Sequence, residues 1–324
     1  AKGTKLVDKL SGDQIYDGEP KLVYLDGPNK GQTVAASDYT VAYSDDKKEM
    51  TITFTNGLDQ AVEIQYGSKI TGPINGSTVV NNSVSSDGKT VETGQNQIGE
   101  QGIIKGRNKV DYNQKTVEWN VTINSGRQEM KNWSAEDTLP EGLTLNKDSV
   151  KITDTDSGKV LEPGKEYQIT DTSAGFKIEF LGALKDSATH RYDLTYTTSF
   201  DTSKLGENQK SWVNKINATW TDVNGETHHN EGQASFTPKV EYINDASKSG
   251  SYNANNKHIT WTVVANYNQR DLKNAQIVDT LQGDPKYVDG SAKLYEATIN
   301  PDGSYTLGDE VTSGGINYDE SSRT

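Results

Sequence analysis

Three aspartates stand where a β-strand would turn them toward apolar neighbours. Alternation along a strand puts Trp133, Ala135, Asp137 and Leu139 on one face, Ala275, Ile277, Asp279 and Leu281 on another, and Leu6, Asp8 and Leu10 on a third. A carboxylate removed from water is costly, so each of these groups needs a partner or must keep its proton. A carboxyl that keeps its proton is an acid held inside the protein. An Asp before Thr-Leu-Pro also suits a turn, but recurrence on an apolar face in three places speaks against a turn cap alone.

Candidate partners lie on other strands. Trp212, Asn214, Ile216, Ala218 and Trp220 share a face, so Asn214 looks inward, and Asn81 holds the matching place in the first copy; Asn217 falls on the opposite face unless a bulge reverses the choice. Lys105 follows Ile103 by two positions and precedes Trp119 by 14 residues, while Lys248 precedes Trp261 by 13. Either lysine could instead be a solvated linker residue, and Lys109 is a rival to Lys105.

The elements that must position these groups repeat along the chain. Thr116-Val-Glu-Trp119-Asn-Val-Thr-Ile-Asn124 returns as His258-Ile-Thr-Trp261-Thr-Val-Val-Ala-Asn266, and each Trp is followed 18 residues later by the Asp of an Asp-Thr-Leu. A third copy opens the chain: Leu6-Val-Asp8-Lys-Leu10 parallels Ile277-Val-Asp279-Thr-Leu281, Val62-Glu-Ile-Gln-Tyr66 parallels Tyr192-Asp-Leu-Thr-Tyr196, and Val79-Val-Asn81-Asn parallels Trp212-Val-Asn214-Lys. The expected division is the later part of one module over 1–100, a whole module over 101–240 and the earlier part of a third over 241–324. Such modules stack end to end and contact mainly their neighbours. Incomplete ends suggest a piece of a longer protein, and an open sheet edge would permit strand exchange between chains.

Composition narrows the class. Short β-branched and aromatic runs separated by Gly, Asn, Asp and Ser predict strands joined by polar turns, an all-β chain. In 324 residues the hydrophobic share is 31%, enough for several small cores but not one large one. The net charge of −13, with no basic stripe, disfavours nucleic acid as a partner. No apolar run suggests a membrane insertion. Cysteine is absent, so small exported modules of this kind would need another staple.

Lys105 upstream of Val117-Glu-Trp119, Asp137 in Glu-Asp-Thr-Leu-Pro-Glu-Gly, Tyr192-Asp-Leu-Thr-Tyr196-Thr-Thr and Trp212-Val-Asn214 together resemble the collagen-binding-domain modules of Gram-positive cell-wall adhesins. That resemblance covers nearly the whole chain and implies tandem immunoglobulin-like sandwiches of reversed topology. It also implies an intramolecular isopeptide bond in which Lys105 is the nucleophile, Asp137 the acid and Asn214 the electrophile. By the same carry-over, Lys248 and Asp279 prepare a bond whose Asn lies beyond Thr324, and Asp8 and Asn81 lack a lysine within the chain. The implied protein is an extracellular, wall-anchored stalk whose only chemistry is a single-turnover maturation, with no cofactor or metal.

Two other readings compete. The family suggests a host matrix protein such as collagen, or a glycan, as a direct ligand. A carbohydrate-active enzyme would need converging acid–base or metal groups in a cleft. Asp154 and Asp156 lie in Asp-Thr-Asp-Ser-Gly158, which reads as a turn, and the neighbours His228 and His229 fall short of a metal-ligand set. The sequons at Asn120 and Asn217 read as ordinary strand residues.

Overall fold

The computed structural model describes residues 4–324 apart from 73, 75, 87, 88, 93–95, 313 and 314. The architecture is nearly all β, as the short alternating runs predict. Residues 103–236 form two antiparallel sheets packed face to face. The four-stranded sheet runs Ile103–Asp111, Thr116–Ile123, Tyr192–Phe200, Leu143–Asp154 in spatial order. The five-stranded sheet runs Tyr167–Thr172, Gly175–Phe180, Lys131–Thr138, Trp212–Thr221, Thr227–Phe236.

Period-two alternation drives this packing. Val117, Trp119, Val121 and Ile123 are buried from one sheet; Trp133, Ala135, Trp212, Ile216, Ala218 and Trp220 answer from the other. Gly232 has a specific task in closing the sandwich. A Cβ there would lie 3.1 Å from the Cβ of Lys105 and 3.3 Å from Ile216, so a side chain would crowd the Lys105 strand where it lies across the last strand.

Residues 4–92 repeat the same order with fewer strands. Tyr39–Tyr43, Glu49–Phe54, Lys5–Leu10, Asn82–Ser86 and Lys89–Glu92 form the five-stranded sheet, and Gln14–Tyr24 pairs with Val62–Ile70. Their core gathers Leu10, Tyr16, Leu22, Met50, Ile52 and Phe54. Near the end of the chain, Ala246–Asn253 pairs with His258–Ala265 and Tyr295–Ile299 with Tyr305–Glu310.

One expectation changes here. Residues 274–281, expected to form a strand with an inward face, form no strand, and Ile277 is 59% exposed. The corresponding Lys131–Thr138 is held between Gly175–Phe180 and Trp212–Thr221. No such pair flanks 274–281 among the described residues, so its backbone groups have no ladder to join.

The unequal Lys-to-Trp spacing has a local cause. Ala246–Asn253 and His258–Ala265 pair without interruption, whereas the pairing of Ile103–Asp111 with Thr116–Ile123 slips by one residue between Arg107 and Val110. The bulge absorbs the extra residue. Lys105 therefore sits opposite Val121 as Lys248 sits opposite Val263.

A polar and aromatic seam joins the residue 103–236 sandwich to residues 240–303. The short helix Val240–Asn244 carries the fully buried Tyr242, whose ring centre is 4.2 Å from that of Tyr112. Tyr112 donates its N–H to the Pro301 carbonyl, and Asn113 Nδ2 donates to the Ile299 carbonyl. Buried Thr202 and Asn268 both donate to the Tyr242 carbonyl. Gly303, at φ 80°, lies so close that a Cβ would meet Tyr112 at 2.9 Å. The seam thus rests on the Tyr112 ring. Replacing it in Tyr112→Ala is expected to leave the sandwich folded and to expose the 237–245 segment to limited proteolysis; unchanged cleavage would show that other contacts hold the joint.

Candidate functional site

Four buried polar side chains converge between the two sheets, each delivered by a different strand. Lys105 comes from the edge strand of the four-stranded sheet and Tyr196 from its interior, while Asp137 and Asn214 stand on adjacent strands of the five-stranded sheet. Strand register explains the meeting. Asp137 pairs with Ile216, which places Asn214 two residues away on the same face. Tyr196 pairs with Trp119, and Lys105 with Val121, so both point into the same gap.

The Tyr196 hydroxyl is the hub. It donates to Asp137 Oδ2 at 2.6 Å and accepts from Lys105 Nζ at 2.6 Å and from Asn214 Nδ2 at 3.0 Å. Lys105 Nζ also contacts Asp137 Oδ2 directly. The lysine and aspartate side chains are 0% and 1% exposed, which makes this the driest ion pair among the described residues. Aromatic surface encloses it: Lys105 Nζ lies 5.8 Å from the Trp119 ring centre and 5.3 Å from that of Tyr196, and Phe176 packs edge-on to Tyr196 at 5.2 Å.

Desolvation governs the electrostatics. Burial pushes the Lys105 amine down to about 8, although Asp137 pulls the other way. Burial pushes the Asp137 carboxyl up against the opposing pull of Lys105 and the Tyr196 hydrogen bond. Tyr196 is driven well above its ordinary range by burial and by the neighbouring Asp137 charge. Both members of the pair are thus displaced toward their uncharged forms. Two acceptors at the centre, Asp137 Oδ1 and Asn214 Oδ1, are buried without a hydrogen-bond partner. A proton on Asp137 Oδ1 would be a donor in a place otherwise without one.

The rival residues lie outside this centre. Lys109 and Asn217 are exposed, each on the outer face of its strand. In the first copy Asp8 is buried and accepts from Tyr66 at 2.7 Å and from Tyr16. The matching amide, however, is one residue from the expected position. Asp8 pairs with Val84, which puts Asn82 where Asn214 stands, and Asn82 Nδ2 reaches the Tyr66 hydroxyl. Asn81 lies between strands and is exposed. The match through Val79-Val-Asn81 is one residue off: Val79 is exposed and Val80 buried, so Val80 and Asn82 stand where Trp212 and Asn214 do. In the last copy Lys248 Nζ lies 2.7 Å from Asp279 Oδ1 and 4.9 Å from the Trp261 ring centre, but the two side chains are 43% and 35% exposed.

Sequence reasoning named Lys105, Asp137 and Asn214 but missed the hydroxyl that links them. The signal was available in the matched tyrosines Tyr196 and Tyr66, each five residues into its strand and inward-facing. The polar turns singled out in the sequence are otherwise occupied. Asp154 accepts from the N–H groups of Asp156 and Ser157 and contacts His190, while Asp156 pairs with Arg127. Asp222 accepts from the N–H groups of Asn224 and Glu226 and contacts His228 at 2.9 Å; His229 turns to Thr219 instead.

No curated protein matches the chain. Among solved structures, the collagen-binding subdomain of the Enterococcus faecalis surface protein ACE is 17% identical, with 43% of this chain and 99% of that one covered at a TM-score of 0.35. The collagen-binding domain of a Staphylococcus aureus adhesin is 15% identical over 42% and 99%, at 0.33. The full-length major pilin SpaD of Corynebacterium diphtheriae is 14% identical over 76% and 62%, at 0.35. At that degree of likeness no residue role transfers. The family model for the collagen binding domain matches residues 103–231 and 243–323. With more than half of its length matched, this chain belongs to the collagen-binding-domain family.

Proposed function

We propose that the chain is a segment of a surface adhesin, built from consecutive modules over 1–100, 101–240 and 241–324, and that its central module welds itself with an isopeptide bond between Lys105 and Asn214. Asp137 acts as the acid. The observation that carries this reading is the dry convergence of amine, carboxyl and carboxamide on one phenol. Family membership supports the adhesive, non-enzymatic role and an extracellular location. None of the helices among the described residues is long and apolar enough to cross a membrane.

The chemistry comes from burial. A neutral amine is a nucleophile and an ammonium ion is not, so desolvation of Lys105 prepares the attack. A protonated Asp137 hydrogen-bonds to the Asn214 carbonyl oxygen and makes its carbon more electrophilic. Folding fixes the reactants at high effective concentration. Lys105 Nζ bonds to Asn214 Cγ, the Cγ–Nδ2 bond breaks, and one ammonia leaves. The product ties the edge strand of one sheet to an inner strand of the other, so pulling on the module loads a covalent bond. In the end copies Asp8, with Asn82 in place of Asn81, and the Lys248–Asp279 pair are parts of the same device.

Intact-mass spectrometry of the folded chain is expected to find the mass of one ammonia missing, and Asp137→Ala to restore it. Closing a loop of roughly a hundred residues is worth about 4–5 kcal/mol by the chain-entropy argument, so the uncross-linked variant should unfold correspondingly more easily in denaturant. A wild-type chain of full mass would sink the cross-link.

The pH dependence has a defined shape. Moving the proton from Lys105 to Asp137 leaves the pair's proton count unchanged, so the reactive neutral form holds a constant share wherever the pair binds one proton. Acid adds a second proton and silences the amine. Alkali above about 8, where Lys105 titrates, removes the last proton and leaves Asp137 charged with nothing to donate. Cross-linking of freshly synthesised chain should therefore show a plateau with a fall on each side; a rate rising steadily through pH 9 or 10, the range in which an ordinary lysine (about 10.4) titrates, would contradict the pairing.

Family membership also favours direct collagen binding. A spacer role predicts no saturable response when the chain flows over immobilised triple-helical collagen. Saturable binding that persists at raised salt would replace the spacer with an adhesive module.

A further inference from the structure

We infer that the Tyr196 phenol is itself a catalytic group of the cross-linking site, carrying the proton from the attacking amine to the departing nitrogen. This rests on the proposed cross-link and adds to it the step that the acid alone leaves open. Attack by Lys105 Nζ leaves that nitrogen with a proton too many, and Asn214 Nδ2 must gain one before it can depart as ammonia. Asp137 addresses the carbonyl oxygen. Something must serve the two nitrogens.

Tyr196 Oη is the atom in contact with both. It accepts from Lys105 Nζ at 2.6 Å and from Asn214 Nδ2 at 3.0 Å, and it carries a proton of its own, which it directs to Asp137 Oδ2 in the resting geometry. Bulk water has no access to act as the carrier: Tyr196, Asp137 and Asn214 are each no more than 1% exposed. Rotation of the hydroxyl about its C–O bond re-aims the proton without moving the ring, which packs edge-on against Phe176.

The step balances. The Nζ lone pair forms the bond to Asn214 Cγ, and the carbonyl pair moves to Oδ1, which takes the Asp137 proton. Tyr196 gives its proton to Nδ2 and takes one from Nζ. The Cγ–Nδ2 bond then breaks with its pair on nitrogen, Oδ1 returns its proton to Asp137, and the products are an amide and ammonia. Phenol and carboxyl end as they began.

A second copy supports the assignment. In the first module Tyr66 contacts Asp8 Oδ2 and receives Asn82 Nδ2, the same phenol between the same acid and amide. A tyrosine present only to fill the core would not need its hydroxyl in both places; phenylalanine would serve.

The test measures ammonia loss by intact mass during cell-free synthesis of the full chain. Tyr196→Phe, which keeps the ring, should slow cross-linking roughly a hundredfold, the usual scale for loss of a general acid–base group. Its near-ultraviolet circular dichroism should match that of Asp137→Ala. A folded Tyr196→Phe chain that cross-links at the wild-type rate overturns the assignment. If Tyr196→Phe does not fold, fluorotyrosine at position 196 decides: a proton carrier changes rate with phenol acidity, and an unchanged rate overturns it. Wild-type chain that never loses ammonia overturns the cross-link and the carrier together, whereas a slow Tyr196→Phe in a reactive background supports both.

Discussion

The arrangement depends on removing an amine and a carboxyl from water while denying them the ordinary reward for pairing. A surface salt bridge is worth little, and a buried one costs more in lost hydration than its attraction returns unless every remaining valence is met. At Lys105 and Asp137 those valences are not all met: both partners are shifted toward neutrality, and one carboxyl oxygen has no donor. In the proposed cross-linking, that unfavourable balance is what would make the pair reactive. In a wetter site the same residues would form an ordinary ion pair.

Everything that dries the site belongs to the sandwich itself. Trp119, Phe176 and Ile216 sit at the register positions that face the four polar groups, and Gly232 lets the lysine strand lie close across the final strand. The reactants come from four strands of two sheets, so none of them is positioned until both sheets are paired and packed. The proposed reaction would thereby be tied to completed folding, with no need for a separate switch.

Much of this was legible in the sequence because period-two alternation reports which face a residue takes without any knowledge of its neighbours. Lys105, Asp137 and Asn214 were found that way and Asn217 falls on the opposite face, but Lys109, four residues from Lys105, shares its face by count and is turned outward only by the bulge between Arg107 and Val110. What alternation cannot report is where pairing breaks. The one-residue error at Asn81 came from matching Val79, which is exposed, rather than the buried Val80 to Trp212, and the expected strand around Asp279 lacks the flanking strands that would stabilise it. Tyr196 was overlooked for a different reason: a tyrosine on an apolar face looks like core until the partners of its hydroxyl are known.

The proposed cross-link and the seam would answer different mechanical demands. Within the sandwich, the Lys105 and Asn214 strands lie in opposite sheets, so a bond between them would resist separation of the two layers. Residues 240–303 are joined to the sandwich by noncovalent contacts: the Tyr112 and Tyr242 rings and the hydrogen bonds that converge on the Tyr242 carbonyl. That seam is specific to its place, because Ala254 occupies the turn position in the next hairpin that Tyr112 occupies in this one. Hydrogen bonds and ring contacts reform after rupture, whereas an unfolded module exposes its core. A string with welded modules and reversible joints would yield at the joints first and spare the folds.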